Sequence, residues 1–260
     1  MLSTFGLLLA PGMLWGWLFY RLHRYQKPEL KHLTALFVGG MLCGLVALLL
    51  NHSVEKYSAF WPGATETLRI GDVDFPFYKS GFWMMVGFNE ETAKLLVLLL
   101  VSYPSRKIRE PFDGILHGAV VALGFATLEN AFYMQQYGLD VVITRSVVTL
   151  PAHAFMTVPL GYFVAVARLR WENGADNASV VRLLLAGWLV ASVLHGTYDL
   201  WLSYGAIEWA YAQIVSMGLW SVWLAVTNWK HSVYLPAAHR DAPESRFMRF
   251  LLRRGDSLSR

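Results

Sequence analysis

Long apolar runs separated by short polar stretches dominate the chain, with little alternation between apolar and polar neighbours inside each run. Each run is about 17 to 25 residues long, the length a helix needs to cross a hydrocarbon core about 30 Å thick. The pattern predicts about seven such helices, over approximately residues 4–20, 32–50, 80–102, 113–137, 145–167, 183–203 and 211–229. The expected fold class is all-α: a polytopic transmembrane helical bundle over residues 1–235, with its motif-bearing core at 80–203 and a basic tail at 236–260. The first run ends in Phe19, Tyr20 and Arg21 rather than at a small-residue cleavage site, so it reads as a retained span.

Composition agrees: 55% of the 260 residues are hydrophobic and 15% charged, which leaves no room for a large soluble domain. Cys43, the single cysteine, sits in the second run and excludes both an intramolecular disulfide and a cysteine-based metal site. It reads as a small buried side chain. The net charge of +4 is spread over membrane-flanking loops rather than gathered in one patch, so no nucleic-acid partner is expected.

The distribution of that charge predicts orientation, because short basic loops stay on the cytoplasmic side. Arg21, Arg24, Lys27 and Lys31 follow the first span, Arg106, Lys107 and Arg109 the third, and Arg168, Arg170 and Arg182 the fifth. The alternate connections are neutral to acidic. An outside N-terminus and a cytoplasmic C-terminus follow, with the tail beyond Lys230 carrying Arg240, Arg246, Arg249, Arg253, Arg254 and Arg260. That tail interleaves arginines with Phe247, Phe250, Leu251 and Leu252, either as an amphipathic helix on an anionic leaflet or as a solvated end. The connection 51–79 is the longest and is rich in aromatic residues, which suits an interfacial cap or a lid.

Against this apolar background the buried ionisable groups stand out. The third span carries Glu90, Glu91 and Lys94 in the string EETAK, and the fourth carries Glu129 and Asn130. His153 lies in the fifth span, and His195 with Asp199 one turn later lies in the sixth. An ionisable side chain at bilayer depth costs a few kcal/mol or more, so it faces the bundle interior or a hydrated cavity and marks function. Lys94 is within reach of both Glu90 and Glu91 and can neutralise one, leaving the other free to exchange a proton. Gly114, Gly118, Ala122 and Phe125 share one face of the fourth span with Glu129, a small-residue stripe that lets another helix approach closely. Asp113 is expected as a helix N-cap and His117 as a packing residue.

Counting about 1.5 Å per residue from each span's expected outer end puts Glu90 roughly 15 Å deep, Glu129, His153 and His195 roughly 12 Å, and Asp199 roughly 6 Å. Groups on antiparallel helices thus meet near one level of the outer leaflet. Two or three carboxylates and two imidazoles in a hydrated pocket can activate water and donate to a developing oxyanion, the chemistry of peptide hydrolysis. Two histidines and carboxylates from several helices could also hold a divalent metal, although a HExxH helix is absent. Buried Glu–His chains serve proton-coupled transporters as well, and a non-catalytic membrane scaffold could retain the same residues.

The EETAK string at Glu90, Glu91 and Lys94, the GFATLEN string from Gly124 to Asn130, His153 with Gly161, and His195 with Asp199 resemble, in order, the motifs of the PrsW family of intramembrane proteases. That family is related to the prenyl-protein endopeptidases and the bacteriocin-processing membrane proteases. The resemblance implies an intramembrane endopeptidase in which Glu90 or Glu91 is the general base, His153 and His195 polarise or donate, and Asp199 orients His195. Lys94, Glu129 and Asn130 would support them. It implies a multi-pass protein of the bacterial inner (plasma) membrane whose partners are the lipid bilayer and a membrane-anchored protein substrate such as an anti-sigma factor. The family is described both as glutamic-type and as metal-dependent, so zinc or another divalent metal remains open, with Glu91, Glu129, His153 and His195 as candidate ligands.

Overall fold

The computed structural model describes residues 2–23, 27–58, 60, 66–70, 73–230 and 232. Among the described residues the regular elements are helices apart from one short hairpin. In order come α1 (Leu2–Leu22), α2 (Leu30–Ser58), β1 (Thr67–Ile70), β2 (Val73–Pro76), α3 (Phe77–Val97), α4 (Pro111–Tyr137), α5 (Leu139–Val147), α6 (Thr149–Glu172), α7 (Asn177–Ser203) and α8 (Ile207–Lys230). A π-helical turn (Leu98–Ser102) and a 3-10 turn (Tyr103–Ser105) extend α3. All seven expected runs are therefore helical. Five of the described helices, α2, α4, α6, α7 and α8, are long and apolar enough to cross a membrane. α3 falls outside that group because Glu90, Glu91 and Lys94 interrupt its apolar sequence.

Two boundaries differ from expectation. The connection at 51–79 is much shorter than it read: α2 continues to Ser58, α3 begins at Phe77, and β1 pairs antiparallel with β2 between them, Thr67 opposite Pro76. The expected fifth span at 145–167 divides at Val148 into α5 and α6. Pro151 explains the break. It has no N–H to donate back to Val147 and stands in the first turn of α6, where that donor would be unpartnered anyway, whereas Pro11 and Pro159 are carried inside α1 and α6 without a break. The basic tail at 236–260 lies outside the described residues.

α4 and α6 are buried along most of their length and form the centre of the bundle, while α2 and α8 expose Leu42, Leu49, Leu219 and Val222, as side chains facing lipid would. The small-residue stripe of α4 is where these two helices touch. A Cβ on Gly114 would collide with the carbonyl oxygen of Gly161, and one on Gly118 would stand 2.8 Å from the carbonyl oxygen of Thr157. Side-chain-free contact of this kind packs helices without a hydrophobic driving force. Gly161→Val is expected to destabilise the fold by about 1–3 kcal/mol or more through overpacking, read as a lowered thermal midpoint in detergent. Gly87 allows α3 a similar approach to α7, against the carbonyl oxygen of Ser192.

The far end of α4 is pinned by polar contacts. Glu110 caps the helix, Pro111 occupies its first turn, and Asp113 is the third residue in, not the cap expected from sequence. Its carboxylate accepts the backbone N–H groups of Arg109 and Glu110 at 2.8 and 3.0 Å and the Nε2–H of His23 at 2.8 Å. His117 packs as expected, 2.7 Å from the Ser102 hydroxyl and edge-on to His32. Cys43 is buried and donates to the carbonyl oxygen of Gly40 at 3.2 Å.

Candidate active site

Consecutive residues on a helix diverge by about 100°, so Glu90 and Glu91 leave α3 in different directions. Glu91 points into the bundle and accepts three hydrogen bonds. Its Oε1 accepts from Lys94 Nζ at 2.7 Å and from His195 Nδ1 at 2.9 Å, and its Oε2 accepts from the Thr157 hydroxyl at 3.0 Å. Lys94, fully buried, is thereby paired with Glu91 and also stands over the Phe125 ring, 4.2 Å from its centroid. Of the two carboxylates the lysine could have reached, it takes Glu91.

Glu90 is placed differently. Asn51 of α2 donates to its Oε1 at 3.1 Å, while its Oε2 has no hydrogen bond although it is buried and lies 3.3 Å from His195 Nε2. With Nδ1 committed to Glu91, His195 turns Nε2 toward Glu90 Oε2 and toward Asp199 Oδ2 at 3.5 Å. A bare nitrogen lone pair facing two carboxylate oxygens is repulsive, so a proton or a cation belongs between them. Asp199, expected one turn nearer the surface, still reaches the imidazole from one turn along α7.

His153 of α6 lies edge-on to His195 with ring centroids 4.9 Å apart. Its Nε2 donates to Glu129 at 2.9 Å, and Lys94 Nζ stands 3.4 Å from its Nδ1. Glu129 and Asn130 are both held from α5: Arg145 donates through Nη2 to the Glu129 carboxylate and through Nε to Asn130 Oδ1 at 2.8 Å. A cavity of about 480 Å³ opens onto this assembly. Glu90, Glu129, His153 and Asp199 line it, with Asn51, Arg145 and the aromatic side chains of Phe82, Trp83, Phe132 and Tyr133; Glu91, Lys94 and His195 stand behind that lining.

The sequence singled out eight residues, and the structure brings all of them into one connected network. It also adds residues that the sequence did not reveal. Asn51 follows Leu48, Leu49 and Leu50 and reads as the end of an apolar run. Arg145 reads as the charged start of a span, and Thr157 as an unremarkable helical threonine. None carries a local signal, because each matters through a partner more than 15 positions away or on another helix.

Among the described residues, the donors that converge as a metal site would are Glu90, His153 and His195, with one ligand atom of each within 4.8 Å of the others. This differs from the set expected from sequence. Glu91 is occupied by Lys94, His195 and Thr157, and Glu129 by Arg145 and His153. A set of two histidines and one carboxylate suits a catalytic zinc, and the unpartnered Glu90 Oε2 leaves a free ligand atom, whereas His153 would have to give up Lys94 at Nδ1 or Glu129 at Nε2 to join it.

Comparison with known proteins supplies the decisive observation: residues 28–227 match the family described as PrsW family intramembrane metalloprotease. The chain belongs to the PrsW family. It is 30% identical over 223 residues to protease PrsW of Shouchella clausii, an alignment covering 85% of this chain and 92% of that protein. Protease PrsW of Bacillus subtilis is also 30% identical, over 209 residues, with 80% and 86% covered. Protease PrsW of Clostridioides difficile is 28% identical over 180 residues, covering 68% of this chain and 69% of its own length. No solved structure matches. As a member of the PrsW family the protein is a membrane-embedded protease, and the network just described lies within its matched region.

Proposed function

We propose that this PrsW-family protein hydrolyses a peptide bond of a membrane-anchored protein with water activated by Glu90, about one third of the way in from the outer face of a bacterial plasma membrane. The observation that carries the reading is the state of Glu90: a buried carboxylate lining the cavity, with one oxygen held by Asn51 and the other directed at His195 without a hydrogen bond. That oxygen takes the water's proton. His195, anchored through Nδ1 by Glu91, presents Nε2 to the oxyanion and to the leaving amine, and His153, held between Glu129 and Lys94, packs edge-on against it. Glu91 acts as an anchor and not as the base, because three donors already occupy it. Glu90, His153 and His195 are the residues that would hold a divalent metal such as zinc; with the metal bound, Glu90 Oε2 would serve as its ligand in place of taking the proton, and the metal would acidify water and polarise a carbonyl. The topology that fits this depth has about seven spans, α1 and α3 included, an outside N-terminus and a cytoplasmic C-terminus. An anti-sigma factor with a single span is the substrate class proposed.

The transport alternative finds no support in the course of α4. From Gly118 to Ala126 this central helix carries no polar side chain, so it offers no chain of proton carriers between the active site and the polar contacts at Asp113 and His117. The test is cleavage of a doubly tagged single-pass anti-sigma factor by the purified protein in liposomes. Cleavage by the wild type, loss on treatment with a chelator and recovery on adding zinc are expected. Full cleavage by Glu90→Ala overturns the proposal, and chelator-resistant cleavage removes the metal from it.

A further inference from the structure

We propose that Asn51 of α2 is a positioning residue for hydrolysis, which holds Glu90 by one oxygen so that the other is directed at His195. The inference rests on the assignment of Glu90 made above. Asn51 Nδ2 donates to Glu90 Oε1 at 3.1 Å, and Asn89 Nδ2 donates to Asn51 Oδ1 at 3.1 Å. This chain has a direction. A side-chain amide donates at one end and accepts at the other, so receiving the Asn89 N–H fixes the Asn51 oxygen toward α3 and turns its NH2 group to the carboxylate. A flipped Asn51 would set its carbonyl oxygen against Glu90 and its NH2 group against another NH2 group. Asn89 and Glu90 are neighbours in sequence whose side chains diverge by about 100°. Asn51 therefore bridges two directions on α3 from a separate helix. Within the cavity wall, Asn51 donates the sole hydrogen bond that the Glu90 carboxylate receives among the described residues. Without it the carboxylate loses that hydrogen bond, and Oε2 loses its fixed position relative to His195 Nε2.

The measurement is steady-state cleavage of the doubly tagged anti-sigma factor by the full-length protein in liposomes, alongside thermal midpoints. Asn51→Ala is expected to lower kcat about 10- to 100-fold with KM within about twofold of wild type, as removal of an orienting partner does. Asn51→Asp keeps the shape and removes the donor, and is expected to fall at least as far; it also preserves the readout if the alanine variant does not fold. Asn89→Ala is expected to lose less, and the double variant Asn51→Ala/Asn89→Ala to fall no further than Asn51→Ala alone, because Asn89 acts through Asn51. Wild-type kcat in Asn51→Ala and Asn51→Asp, with only the thermal midpoint lowered, overturns the proposal and leaves Asn51 a strut between α2 and α3. Additive losses in the double variant also overturn it. Glu90→Gln in the same assay separates the two claims: activity there removes the assignment of Glu90, whereas an inactive Glu90→Gln beside fully active Asn51 variants removes only the role of Asn51.

Discussion

Glu90→Gln is expected to reduce peptide hydrolysis by about a hundred- to ten-thousand-fold while leaving the fold intact, the range associated with losing a positioned general base. The glutamine occupies the same volume and keeps an oxygen for the Asn51 amide. What it lacks is the ability to take a proton at the position now held by the unpartnered Oε2, 3.3 Å from His195 Nε2. Stability should hardly change, because Glu90 has one hydrogen bond and no paired lysine. Cleavage rate and thermal midpoint measured on one preparation decide the matter, and a rate within tenfold of wild type would remove Glu90 from the chemistry.

Glu91→Ala is expected to do something different, lowering both activity and stability. Lys94 is fully buried and its partner carboxylate is 2.7 Å away, so the truncation strands a cation inside the bundle. Breaking a buried pair from one side costs about 3–5 kcal/mol. The loss also frees His195 Nδ1 and the Thr157 hydroxyl. Adding Lys94→Met in the same protein is expected to recover most of the stability and none of the activity, since the imidazole stays unanchored. Unfolding followed by circular dichroism in detergent measures the first effect. A Glu91→Ala variant as stable as wild type contradicts the pairing, and one whose activity returns with Lys94→Met contradicts the anchoring role.

Much of this was readable in the sequence, for identifiable reasons. Apolar runs of bilayer length fix helices without reference to tertiary contacts, and charges inside them are costly enough to announce themselves, as Glu90, Glu91, Lys94 and Glu129 do. The helical count also brought residues of antiparallel helices to a common depth, and the network confirms that they meet. Other features depend on contacts between distant positions. Whether Glu90 or Glu91 takes Lys94 is decided by Thr157 and His195, which lie on two other helices and together claim Glu91. Arg145 joins the site only because the chain breaks at Val148, and the signal for that break, Pro151, was hidden inside an apolar run that read as continuous. Asn51 was obscured in the opposite way, by a helix that runs past the apparent end of its apolar segment to Ser58.

The contact between Gly114 and Gly161 has a mechanical meaning as well as a packing one. Where Gly114 and Gly118 meet Gly161 and Thr157 the two helices touch backbone to backbone, with no long side chain whose rotamer could shift, so α4 and α6 have little cushion there along which to slide. Glu129 and His153 ride on this stiff pair, and their separation is set like two marks on one ruler. Room for a substrate segment must therefore come from the side of the cavity where Asn51 on α2 and Arg145 on α5 reach in through side chains alone. Slow amide exchange along the α4–α6 seam, with faster exchange in α5, is the corresponding expectation.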